Sequence, residues 1–314
     1  MKKALITGIS GQDGAYLARL LLEKGYRVFG TSRDAAASPF SNLERLGLRE
    51  RVELLTMPPH DPARVTALLE QLRPDEIYNL AGQSSVGLSF ARPRETIADI
   101  VQSDLNLLEA VRVLALPTRI FNASSGECFG DTGGTPADET TPFNPNSPYA
   151  SAKAASCWQT RVYRRAYGIF ACSGLLYNHE SPLRPEGFVT RKIIDGALNI
   201  AARRETRLTL GNIDIERDWG WAPEYVEAMW LMLQQEKPTD FVIATGHSYP
   251  LREFVATAFS LLGLDWREHT SSDPTLLRPG EAPICRADPS RAARVLGWRA
   301  KKTMPEVVAA MLKG

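Results

Sequence analysis

ALITGISGQDG, residues 4–14, decides the fold of this chain. Its short apolar run reads as a buried strand, and the AYLARLLLEKG that follows it carries the spacing of a helix. At the turn stand Gly8, Gly11 and Gly14. Glycines there let the backbone bend tightly and approach a pyrophosphate, which then sits at the positive end of the helix. The spacing is G-x-x-G-x-x-G, not G-x-G-x-x-G, and its weight comes from the strand before and the helix after.

Outward from this turn, strand and helix patterns alternate to about residue 175. Candidate strands are ALITG, RVFGT, VELLTM, EIYNLA, RIFNASS and a sixth near FACSGLLY, with helices between them at Pro62–Leu72 and Thr96–Leu114. This alternation predicts an α/β fold, a Rossmann-type doubly wound parallel sheet with a cofactor at its carboxyl edge. After Asn178 the pattern reads as loops and short charged helices. The expected division is therefore residues 1–177, dinucleotide-binding and catalytic, and 178–314, a smaller substrate-binding α/β subdomain with some segments returning to the first.

Composition narrows the class. A net charge of +1 over 314 residues gives no basic footprint for nucleic acid or an anionic membrane. The apolar runs fall far short of a membrane span, and Met-Lys-Lys followed by a strand is unlike a signal peptide. Cys128, Cys157, Cys172 and Cys285 are scattered without metal spacing, as expected of free thiols in a reducing cytoplasm.

A second stretch carries chemistry. NASSGECFG begins at Asn122, and SPYASAK ends at Lys153. Tyr149 and Lys153 lie one helical turn apart. An ammonium near a phenol favours the phenolate, so the tyrosine is expected to have a lowered pKa and act as a base. That spacing alone also fits a half-buried tyrosine and a solvated lysine; the glycine turn favours catalysis. Glu127 adds a carboxylate beside the pair and points from hydroxyl redox to elimination. The choice of dinucleotide rests on the end of the second strand. Arg33 there suits the 2′-phosphate of NADP, while the adjacent Asp34 keeps NAD open.

TGISGQDGAYLARLLLEKGY, YNLAGQSSV, TPFNPNSPYASAK, YNHESPLRPEGFVTRKI, LGNIDIERDWG and RPGE with DPSRA together resemble the GDP-mannose 4,6-dehydratases, among the extended short-chain dehydrogenase/reductases, over nearly the whole length. The resemblance implies that Tyr149, with Lys153, takes the C4 hydroxyl proton while hydride leaves C4, and that Ser125 binds the C4 oxygen. Glu127 then removes the C5 hydrogen, water is lost from C6, and hydride returns there. It implies cofactor contacts at Gly8, Gly11, Gln12, Asp13, Gly14, Arg33, Leu80, Ala81, Ser84, Tyr149, Lys153, His179 and Arg184. Substrate contacts would fall on Ser85, Glu127, Asn178, Val189, Lys192, Arg217, Arg278 and Glu281, with no metal.

Departures from that family's pattern occur at Asp34, at Pro58 in MPPHD (where Asp61 is the nearest acid), and at Ser85 and Gly87 beside the sugar pocket. The expected function is an NADP-dependent GDP-mannose 4,6-dehydratase, a lyase. The alternatives are dehydration of GDP-N-acetylglucosamine or a GDP-heptose, a 4-epimerase or 4-reductase, and a non-catalytic NADP-binding sensor. Apolar stripes on the helices at Thr96–Leu114 and Tyr149 onward suggest a homodimer, with a homotetramer as the larger alternative.

Overall fold

Each apolar run bounded by Gly, Pro or charge in the first half becomes a strand. The computed structural model describes residues 1–277 and 280–314. Its early strands are β1 (Lys3–Thr7), β2 (Arg27–Ser32), β3 (Glu53–Thr56), β4 (Glu76–Asn79), β5 (Arg119–Ser125) and β6 (Ala171–Leu176). The later ones are β7 (Asn178–Glu180), β8 (Leu208–Leu210), β9 (Glu216–Trp221), β10 (Phe241–Ile243), β11 (Ser248–Pro250) and β12 (Thr270–Ser272). The main sheet runs β10-β6-β5-β4-β1-β2-β3, parallel throughout. The chain winds outward from β1 to β3 and then back to β4, so a crevice opens at the carboxyl ends of β1 and β4.

The second half is more regular than the sequence suggests. It holds helices Val189–Ala201, Ala222–Gln234, Leu251–Ser260 and Met304–Leu312 rather than loops and short helices. A sheet of β11-β9-β7 and the pair β12-β8 share a core of Ile193, Trp219, Phe254 and Val307. Trp219 is thus a core residue, packed on Phe254 at 5.5 Å between ring centres. β10 joins the main sheet beside β6. Helix Ala222–Gln234 packs Val226, Met229 and Met232 into the same core as Leu17 and Leu21 of the N-terminal helix.

Two helices frame the site. Helix Pro148–Tyr167 begins with Ser147, whose hydroxyl accepts the Ala150 amide at 3.0 Å, and has proline in its first turn, where a missing N–H costs nothing. This start sets Tyr149 and Lys153 beside the end of β5. The helical stretch expected at Thr96–Leu114 is longer, Pro93–Ile97 continuing into Ser103–Val113 through a wider turn at Ala98–Gln102.

Candidate active site

A cavity of about 920 Å³ lies along the carboxyl ends of the main strands. Its floor is the glycine turn. Gly8 has φ +71°, and a Cβ added there would stand 2.8 Å from the Leu80 carbonyl carbon. A Cβ on Gly14 would stand 2.5 Å from both the Gly8 oxygen and the Ile9 Cα. Gly11 precedes helix Gln12–Glu23 with no side-chain cap, so the first-turn amides stay open to the cavity. The turn is a cradle that fits a pyrophosphate and that any side chain would fill. Leu80, Ala81 and Ser84 form the facing wall, where the Ala81 amide donates to Thr7 Oγ1 at 3.2 Å.

At the end of β2, Arg33 is exposed on the cavity wall and has no hydrogen-bond or ion-pair partner among the described residues. Asp34 is occupied locally: its Oδ1 accepts the amides of Ala36 at 2.9 Å and Ala37 at 3.2 Å. Asp61 is likewise spent, capping helix Pro62–Leu72 by accepting the amides of Ala63 and Arg64. Met57 and Pro59, not Pro58, line the cavity there.

Ser125, Glu127, Tyr149 and Lys153 meet at one wall. Ser125 ends β5, and its Oγ accepts the Glu127 amide at 3.2 Å, which fixes the short turn Gly126–Phe129 that carries the carboxylate. Lys153 is buried and its Nζ donates to the Ala123 carbonyl at 2.7 Å. Burial pushes its pKa down to about 8, against the opposing charges of Cys128, Asp104 and Asp13. The expected lowering of the Tyr149 pKa is not found. Burial raises it, and a hydrogen bond with Ser125 and the Arg184 charge only moderate the rise. The reason is geometric: the Lys153 ammonium faces a carbonyl and lies 5.9 Å from the Tyr149 ring centre.

The other wall comes from the second half. His179 Nε2 lies 2.8 Å from Asp13 Oδ2, and its Nδ1 lies 2.7 Å from the Tyr177 oxygen. Its ring stacks on Tyr225 at 4.5 Å. Burial opposes charge on both partners, but the Asp13–His179 attraction outweighs it, raising the histidine pKa and lowering that of the acid. Gln12 ties the same segment, donating to the His179 carbonyl at 3.1 Å and accepting from Ser181 at 2.7 Å. Both side chains line the cavity, yet their polar groups are used to join its two halves.

Arg184 reaches Glu180 at 3.1 Å and lies over the Phe188 ring. Arg217 is buried, 3.8 Å from Glu281. Asn178, Val189, Arg217 and Glu281 all line the cavity, Val189 at the uncapped start of its helix. Lys192 is exposed and is not among the lining residues. Arg278 lies outside the described residues. Ser85 lines the cavity while its hydroxyl caps helix Val86–Ala91; Gly87 does not line it. Thr7, Gln83, Thr190 and Asn212 also line the cavity without having been singled out in the sequence, where nothing distinguishes them from other polar residues.

The chain matches the family model for GDP-mannose 4,6 dehydratase over residues 5–311. The chain belongs to the GDP-mannose 4,6-dehydratase family. It is 44% identical to GDP-mannose 4,6 dehydratase 1 of Arabidopsis thaliana, covering 99% of this chain and 89% of that one. To a GDP-mannose 4,6-dehydratase of Vibrio cholerae it is 41% identical, covering 99% and 93%. Its activity is that of the family: a hydro-lyase acting as a GDP-mannose 4,6-dehydratase.

Among solved structures it resembles the Thermus thermophilus UDP-glucose 4-epimerase complex with NAD (TM-score 0.86, 24% identity, covering 99% of this chain and 98% of that one). It also resembles a Streptomyces venezuelae dTDP-glucose 4,6-dehydratase with NAD bound (TM-score 0.87, 23% identity, covering 99% and 96%). These likenesses show that the chain shares the fold of those structures. In this 4,6-dehydratase, the tyrosine, lysine and glutamate thus line the same cavity as the glycine cradle.

Proposed function

We propose that this GDP-mannose 4,6-dehydratase works through Tyr149, Lys153, Ser125 and Glu127. The observation that carries the reading is Glu127 held on the same cavity wall as Tyr149, within a turn fixed by Ser125. When bound in the cradle, a nicotinamide dinucleotide supplies the acceptor, and later the donor, of the hydride exchanged with the sugar. Tyr149 receives the C4 hydroxyl proton, with the Arg184 charge favouring its charged form and Lys153, one helical turn on, assisting the transfer. Ser125 donates a hydrogen bond to the C4 oxygen. Once C4 is a ketone, the C5 hydrogen is acidic and Glu127 removes it. The C6 hydroxyl then departs as water, taking up a proton and leaving a 4-keto-5,6-ene, and return of the hydride to C6 with a proton to C5 gives the 4-keto-6-deoxy sugar.

NADP is the proposed cofactor. Arg33 has its guanidinium free at the wall, and Asp34 has turned its Oδ1 onto its own loop, where two amides partly offset the charge that would repel a 2′-phosphate. For the substrate diphosphate we propose Arg217 and the open amides at Val189, with Asn178 beside them and Glu281 toward the ribose. Residues 1–177 are proposed to hold the dinucleotide and the catalytic residues, and 178–314 mainly the GDP-sugar; both segments line the cavity.

A homodimer is proposed from Val113, Trp158, Val162 and Tyr167, large apolar side chains left exposed on two neighbouring helices. Four free cysteines support a cytoplasmic setting. The test of function is incubation with GDP-mannose and no added reductant. A 4-keto-6-deoxy product is expected; turnover only of another GDP-sugar would refute the substrate, and C4 epimerisation alone would refute the elimination.

A further inference from the structure

One carboxylate of the cavity wall takes no part in the reaction and is only half engaged. Asp99 stands in the wide turn Ala98–Gln102 and lines the cavity. Its Oδ1 lies 2.7 Å from Nε2 of His60, a side chain outside the cavity lining. Its Oδ2 makes no hydrogen bond among the described residues. Nearby acids are spent otherwise. Glu95, one turn earlier, pairs with Arg92 at 3.5 Å, and Asp61 caps its own helix.

The strand order says which end of the cavity this is. β2 and β3 are neighbours, and the Met57 amide just after β3 donates to the Ser32 carbonyl at the end of β2 at 2.8 Å. Met57 therefore sits beside the strand end that carries Arg33. Pro59 lines the same stretch, its carbonyl held by Asn106 Nδ2 at 2.7 Å, and His60 follows it and reaches Asp99. The end of the cavity next to Arg33 thus offers two apolar side chains, Met57 and Pro59, and one carboxylate. Apolar surface with a single acceptor suits a flat heterocycle that carries a hydrogen-bond donor on its rim.

We propose that Asp99, oriented by His60, binds the adenine of the dinucleotide by accepting a hydrogen bond from its 6-amino group. This rests on the proposed roles of the glycine cradle and Arg33, which put the adenosine half at this end. His60 engages one carboxylate oxygen, which fixes the direction of the group and leaves Oδ2 for the ring. Selection follows from the chemistry. Hypoxanthine carries an oxygen where adenine has its amino group, so a carboxylate facing that position meets a second acceptor and rejects it.

The test is calorimetric titration of wild type, Asp99→Asn and His60→Ala with NADP and with its hypoxanthine analogue, each variant checked for folding by circular dichroism. Wild type should bind NADP about 10-fold or more tighter than the analogue, the worth of a hydrogen bond to a charged group. An asparagine amide can donate to the 6-oxo group, so in Asp99→Asn the preference should vanish or reverse. His60→Ala should narrow the preference without reversing it, and an unchanged ratio there would overturn the orienting role. If Asp99 served only the fold, Asp99→Asn would weaken both ligands alike and keep their ratio; that result in a folded variant overturns the proposal. Equal binding of the two ligands by wild type overturns it as well, whatever the variants do. Should wild type bind NAD and not NADP, the role of Arg33 fails, and NAD with its own hypoxanthine analogue decides Asp99 in the same way. Binding of neither dinucleotide would sink the cradle and this inference with it.

Discussion

Replacing Gly14 by alanine puts the glycine cradle to a quantitative test. The new Cβ would stand 2.5 Å from the Gly8 oxygen and from the Ile9 Cα. Carbon contacts are comfortable at about 3.5–4 Å, so roughly 1 Å must be recovered by moving backbone. Overpacking costs about 1–3 kcal/mol even where side chains can yield, and here no flexible side chain is available to yield. The melting temperature should fall by about 5 °C, taking 2–4 °C per kcal/mol for a large domain. The same shift misaligns the first-turn amides. Losing two charge-assisted hydrogen bonds at about 1.5–3 kcal/mol each weakens dinucleotide binding by about 100-fold or more. Calorimetric titration with NADP and a thermal melt read both effects. Gly187→Ala is the control, because an added methyl there meets nothing within 4 Å. Wild-type melting and wild-type NADP affinity in Gly14→Ala would refute the cradle argument.

Other consequences follow from single contacts. Arg33→Ala should weaken NADP binding by about 10- to 100-fold, the value of a hydrogen bond to a charged group, and leave NAD binding unchanged; equal effects on both would remove Arg33 from cofactor selection. Trp158→Asp, changing a side chain that is 50% exposed on the long helix, should shift the sedimenting species from dimer to monomer; an unchanged dimer would move the interface elsewhere.

How much of this was legible in the sequence depended on the distance over which each feature is determined. β1 to β6 were readable because each is a short buried run ended by local breakers, and Pro62–Leu72 because its cap, proline and apolar spacing are contiguous. β7, β8, β10, β11 and β12 have three residues each, too few to show alternation, and they exist because distant segments pair with them. The Tyr149 and Lys153 spacing was visible, but the lysine's carbonyl partner and the burial that raises the tyrosine pKa were not. The Asp13–His179 pair joins positions 166 apart, which no local pattern reveals.

If Glu127 is the base that converts hydroxyl redox into loss of water, Glu127→Gln abolishes that conversion. The substitution keeps the side chain's size and hydrogen bonding but removes the base. The measurement is the initial rate of 4-keto-6-deoxy product formation from GDP-mannose, with binding of the sugar followed separately. A fall of about 100- to 10,000-fold in rate, the usual worth of a positioned base, with nearly unchanged binding is expected. Dehydration at the wild-type rate by Glu127→Gln would rule Glu127 out as the base.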